Sequence, residues 1–138
     1  MTEEMKSKLV KILKDNTKWP LIIEGVSSTN LPTSVVIPAT TPSSELGVIP
    51  SETGLKLPSW AMEILLKAKK SKKIIVWIGG LDEISQEEQE KFYGMIKYNG
   101  VNGYKFPAGT QIIIPIKKGN LSKINERIVS LCLNFDVE

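Results

Sequence analysis

Few side chains in this sequence can do chemistry. Histidine is absent, which removes the commonest general base and the commonest zinc ligand. The single cysteine, Cys132, lies in the apolar run Val129 to Leu133. It reads as a small buried hydrophobe rather than a nucleophile, and one cysteine forms no intrachain disulfide. Lys67, Lys69, Lys70, Lys72 and Lys73 make a basic run (KAKKSKK). As the solvated end of a helix these cations suit the negative helix C-terminus. The sharper reading is a phosphate-binding patch for nucleic acid, joined by Lys117 and Lys118, although no aromatic residue interleaves the run. The adjacent carboxylates Asp82 and Glu83 read on their own as a solvated loop ahead of a helix. No paired-carboxylate constellation, metal site or cofactor site stands out.

Composition bounds the setting. A chain of 138 residues suits one domain spanning 1–138 with a proper core. The net charge of +3 fits solubility better than a dedicated nucleic-acid surface. No segment approaches the ~18 continuous apolar residues of a membrane span. The N-terminus, MTEEMKSKLVKILKDN, lacks a signal-peptide core. The expectation is a cytoplasmic protein without membrane contact.

The elements that must position these residues follow from periodicity. Within the N-terminal segment 1–18, residues 3–15 place Met5, Leu9, Ile12 and Leu13 on one face, predicting an amphipathic helix. Trp19 to Glu24 reads as a short buried strand, Gly25 to Ser34 as a polar loop, and Ser34 to Ile37 as a strand that Pro38 ends or holds at an edge. The Pro-rich stretch 39–58 predicts an excursion from the core. Ser59 opens a helix with Met62, Ile64, Leu65 and Leu66 as apolar positions. The β-branched run Ile74–Ile78 suits a strand covered on both faces of a parallel sheet. Ser85 is a predicted N-cap for a helix Gln86–Tyr98 whose buried stripe is Phe92, Met95 and Ile96. Asn99 to Tyr104 predicts a small hairpin, Gln111–Ile116 a buried strand, Leu121–Glu126 a short helix and Ile128–Val137 a last strand. Strands alternating with helices predict an α/β three-layer sandwich with a mostly parallel sheet.

From Pro20 onward the order of elements resembles the core of AAA+ ATPases, particularly the MoxR-type and dynein-related branch. Glu45-Leu46-Gly47-Val48-Ile49-Pro50 resembles the acidic-Leu-Gly-Gly-apolar-Pro turn after that family's second strand. Leu57-Pro58-Ser59-Trp60 resembles its Leu-Pro-Pro-Glu-Trp helix entry. Val76 to Gln89 (VWIGGLDEISQEEQ) aligns without gaps on its Walker B segment, apolar-Asp-Glu-Leu-Asn-Arg-Ala-x-x-x-x-Gln. Gly103 to Pro107 followed by Gly109 resembles the hairpin before its fourth strand, and Asn125-Glu126-Arg127-Ile128 the Asn/Asp-Arg-Phe element before its fifth. The resemblance implies a reduced P-loop-NTPase-like core.

The departures carry the functional expectation. A P-loop, G-x-x-x-x-G-K-[ST], cradles phosphates with backbone N–H groups, a lysine and a Mg²⁺-binding hydroxyl. Here Gly25 opens the segment, but Leu31 falls where the lysine belongs and Pro32 where the hydroxyl belongs. The strand starting at Ser34 leaves no residues for the helix that follows a P-loop. The Walker B acids fall on Gly79 and Gly80. A shifted register would place them on Asp82 and Glu83, giving a weak nucleotide binder. The sensor-1 asparagine falls on Lys117, with Asn120 close by. Arg127 survives; in the family an arginine nearby reaches into a neighbouring subunit's nucleotide site, while on its own Arg127 reads as a surface residue. The family's helical lid would begin where the sequence ends, at Glu138. The resemblance therefore implies a degenerate, non-catalytic AAA+-like module with no cofactor, one that docks on a protein partner, an active AAA+ ring or copies of itself. The alternative is a nucleic-acid-binding accessory protein using the lysine run.

Overall fold

The computed structural model describes residues 2–15, 18–26, 34–47, 49–51, 54–101 and 104–137. Leu31 and Pro32 lie outside them. Five strands form one sheet: β1 (Leu21–Glu24), β2 (Ser34–Pro38), β5 (Ile74–Gly79), β8 (Thr110–Ile116) and β9 (Leu133–Asp136). They run in the order β2-β5-β8-β1-β9, and every pairing is parallel. Two antiparallel hairpins lie outside it, β3–β4 (Ile49–Ser51 and Gly54–Lys56) and β6–β7 (Gly100–Val101 and Tyr104–Lys105). The second is the hairpin predicted from the Asn-Gly signals. The first gives the Pro-rich excursion an unforeseen β-structure.

The sheet separates two apolar clusters. On one face Leu21, Ile23, Ile75, Trp77 and Ile113 meet Leu9 and Leu13 of helix α1 (Glu3–Asp15). On the other, Ile22, Val76, Ile78, Ile112 and Ile114 meet α2 (Ser59–Ala68), Phe92, α4 (Tyr93–Tyr98) and α5 (Glu126–Val129), with α3 (Gln86–Gln89) leading into Phe92. Helix–sheet–helix layers follow because β5 and β8 are apolar on both faces, as a central parallel strand requires.

Four local expectations change. The first strand begins at Leu21, and Trp19, expected within it as buried, is exposed. The stretch 86–98 is one helical run with a 3-10 turn at Glu90–Phe92 between α3 and α4. Its predicted cap and stripe hold: Ser85 Oγ accepts from the Glu88 N–H at 3.1 Å, and Phe92, Met95 and Ile96 are buried. In α2 the buried residues are Trp60, Ala61 and Ile64, whereas Met62 and Leu66 face outward. The Trp60 indole N–H, bonded to Glu45 O at 2.8 Å, sets that rotation. Finally, Leu121–Glu126 is not one helix and Ile128–Val137 not one strand. A 3-10 turn covers Leu121–Lys123, and Asn125 Oδ1 accepts from the Arg127 N–H at 2.9 Å, starting α5 there. Only 133–136 are left for β9.

Candidate functional site

In open parallel sheets ligands bind at the carboxyl ends of the strands, and Gly25, Gly79 and Gly80 lie at that edge here. β1 ends at Glu24, and Gly25 turns away at φ 88° with its N–H donating to Ile116 O at 2.9 Å. β5 ends at Gly79, whose carbonyl accepts from the Ala39 N–H at 2.8 Å. Gly80 follows at φ 82°, a left-handed conformation that suits glycine. The resulting turn drives Leu81 into the core and carries Asp82 beneath the loop after β8.

Asp82 is not the solvated residue the sequence suggests; it is 8% exposed. Its Oδ2 accepts from the Lys117 N–H at 3.1 Å and from the Asn120 side-chain amide at 2.8 Å. The Lys117 backbone and the Asn120 side chain thus converge on the first carboxylate of the Asp82-Glu83 pair. From the other side, Glu24 Oε1 accepts from the Gly119 N–H at 3.1 Å. Glu24 and Gly119 were missed as site residues, since nothing local signals a pairing across 95 positions. Glu83 remains exposed, with Lys117 Nζ 3.7 Å away, and Lys118 Nζ lies 3.2 Å from Asp136. Such exposed pairs contribute about 1 kcal/mol or less. The loop 117–120 is therefore fastened to the ends of both β1 and β5, and Asp82 serves as its anchor.

The connection between β1 and β2 gives a second constraint. Two strands lie between them, so residues 25–33 must travel about 14 Å sideways and about 15 Å back along the strand direction. Their extended reach is at most about 33–36 Å. The P-loop pattern alone takes about eight residues. Of the nine residues between the two strands, that pattern leaves one for the helix that follows it.

Arg127 and Gln89 meet in a third group. Gln89 is fully buried; its amide donates to Ile84 O at 3.2 Å and Lys123 O at 2.9 Å, and its Oε1 accepts from the Asn125 N–H at 2.7 Å. Asn125 Nδ2 also donates to Glu90 Oε1 at 2.8 Å. The Arg127 guanidinium donates to Glu90 Oε2 at 2.8 Å and lies 4.1 Å from the Tyr93 ring centroid. It is exposed but already engaged within the chain.

The basic run divides. Lys67 pairs with Glu63 at 3.3 Å. Lys73 Nζ donates to Leu13 O at 2.7 Å, at the end of α1, and burial lowers its pKa from the usual lysine value. Lys69, Lys70 and Lys72 are exposed. All lie at the amino end of β5, whereas Lys117 and Lys118 follow the carboxyl end of β8. The combined seven-lysine patch is thus not formed, because the two groups occupy opposite edges of the sheet. Cys132 packs against the core, and burial pushes its thiol up to about 12, as expected of a hydrophobe and not of a nucleophile.

No group of acidic or cysteine side chains suited to a metal ion occurs among the described residues, and no described helix is long and apolar enough to cross a membrane. No protein-family model matches the chain, and no curated protein matches it.

Proposed function

We propose that this chain is a non-catalytic interaction module on a reduced AAA+-like core, docking on a protein partner without turning over ATP. The observation that carries the reading is the length of the β1–β2 connection. Residues 25–33 supply too little chain for both a phosphate-cradling loop and the helix whose N-terminus attracts phosphate.

The placement of strands supports the family part of the reading. In P-loop ATPases the first strand's loop and the third strand's acid share one metal ion, so those strand ends must lie close together. Counting along the main sheet, the fourth strand, β8, is the only one separating the first, β1, from the third, β5. The hydrogen bonds of Glu24 and Asp82 support the loss of chemistry, since both carboxylates at the site hold loop 117–120.

The partner envisaged is an active AAA+ ring or further copies of the chain, met through the surface around Arg127. A role for Arg127 in a neighbour's site requires it to exchange Glu90 for a phosphate. Calorimetry with ATP and Mg²⁺ is expected to show no binding, and micromolar affinity overturns the reading. Native mass spectrometry of the chain, alone and mixed with a MoxR-type ATPase, tests the docking. A monomer that leaves that ATPase's assembly and turnover unchanged removes the partner.

A further inference from the structure

We propose that the amino edge of the sheet, opposite the degenerate nucleotide site, binds single-stranded nucleic acid, with one base entering a cavity beside Trp19. The run Lys67–Lys73 lacks aromatic neighbours in sequence, but the fold supplies them. The segment entering β1 brings Lys18 and Trp19 to this edge, and the end of α4 brings Lys97 and Tyr98. Trp19 is 59% exposed and Tyr98 67%. A cavity of about 240 Å³ opens between these segments, lined by Lys18, Trp19, Lys97, Asn99, Thr110 and Gln111, among others.

Lys72 stands one strand away. The Gly109 backbone, at φ 89°, passes so close to the Lys72 carbonyl that an added Cβ would collide with its oxygen. Gly109 leads directly into Thr110 in the cavity wall. Lys18, Lys69, Lys70 and Lys72 have no acidic partner among the described residues. Thr110, 7% exposed, keeps its hydroxyl without a hydrogen-bond partner among the described residues.

Each feature selects for the ligand. Cations without acidic partners favour a polyanion and release its counterions. Exposed aromatic rings beside them favour bases whose faces are free, hence a single strand rather than a duplex. The cavity falls below the ~300 Å³ of pockets that hold drug-sized ligands, so it takes one planar ring and not a whole triphosphate. The Asn99 side-chain amide, which donates to Thr110 O at 3.2 Å, offers its polar edge to that ring. At the other edge Glu24, Asp82, Glu83 and Asp136 disfavour a phosphate chain. The fold thus carries its affinity for phosphate on the side opposite to that of a nucleotide-binding sheet. This surface stands whether or not ATP binds at the carboxyl edge.

The test is fluorescence anisotropy with a labelled 20-nucleotide single strand and the same sequence as a duplex, at about 20 mM and 200 mM salt. Binding is expected for the single strand, weakening steeply with salt and exceeding duplex binding. Trp19→Ala is expected to weaken it roughly tenfold, and Lys69→Glu/Lys70→Glu/Lys72→Glu to abolish it. Lys117→Glu/Lys118→Glu, at the other edge, is expected to leave it within about twofold, since those charges lie roughly 20 Å away, beyond a Debye length of about 8–10 Å. All substituted side chains are exposed, and circular dichroism verifies that each variant is folded. No binding at low salt, equal duplex binding, indifference to Trp19→Ala, or equal loss on changing Lys117 and Lys118 each overturns the proposal. So does equal affinity for a poly-glutamate peptide.

Discussion

The side-chain amide of Asn120 donates to Asp82 Oδ2 at 2.8 Å, joining the loop after β8 to the turn after β5. The same oxygen receives the Lys117 N–H. Removing this carboxylate strands two donors at a partly buried position, whereas removing Asn120 strands none of the backbone. Asp82→Ala is therefore expected to cost about 2 kcal/mol and Asn120→Ala about 1 kcal/mol. Because the two share one bond, the double variant should cost less than the sum by about 1 kcal/mol. Urea unfolding measures all three. Strict additivity would mean that the contact contributes nothing.

On the proposed AAA+-like reading, the departure at the β5 terminus involves more than the two glycines. If glycines at 79 and 80 were the only defect, restoring acids there would restore a metal site. The short β1–β2 connection and the fastened 117–120 loop argue that it would not. Gly79→Asp/Gly80→Glu is expected to show no ATP hydrolysis above background. It is also expected to lose about 1–2 kcal/mol of stability, since Gly80 sits at φ 82° where a side chain is strained. Turnover in a phosphate-release assay would show that the scaffold still holds its nucleotide.

Much of the fold was legible because it is written in short-range pattern. The run Ile74–Ile78 announces a strand buried on both faces, and Leu9 and Leu13 announce the face of α1. The errors fall where pattern is ambiguous or the cause is distant. Four residues, Glu126–Val129, are too few to show a helical period, so the sequence pattern splits α5 between the preceding helix and the last strand. Asp82 looks like a solvated carboxylate until the loop 35 positions later is laid over it. The lysine run looks bare until Trp19 and Tyr98, distant in sequence, arrive at the same edge. The register placing Gln89 opposite the family's glutamine singled out a residue whose role only the structure reveals.

That role is to satisfy three backbone groups at once. Gln89 bonds Ile84 O, Lys123 O and the Asn125 N–H while wholly buried. Gln89→Leu leaves all three unpaired and is expected to destabilise by about 3 kcal/mol or more. Gln89→Glu distinguishes hydrogen bonding from packing. Burial and the two facing carbonyls would raise that carboxyl's folded pKa above its unfolded value of about 4.3. The folded state then favours the protonated acid, so stability is retained below about pH 4.3 and lost as pH rises through the folded value. This variant should become less stable from pH 4 to pH 7 relative to the parent chain at each pH. A pH-independent difference would show that Gln89 acts through volume alone.

The Cys132 thiol gives a solution reading of the half-buried segment between α5 and β9. Burial raises its pKa from 9.0 to about 12, so the folded chain holds the proton where the unfolded chain releases it. The sign follows: the stability it contributes is present below pH 9 and is lost as pH rises from there toward 12. At pH 8 the native thiol is almost wholly protonated, and thiolate is the reactive form. Native protein is expected to react with a disulfide reagent at least tenfold more slowly than protein in 6 M urea. Cys132→Ser is expected to lose about 1 kcal/mol, since a hydroxyl is costlier than a thiol to place among Ile128, Val129 and Leu131. Equal labelling rates in the folded and unfolded chains would mean that this segment opens freely, and that β9 is not a stable edge to the sheet.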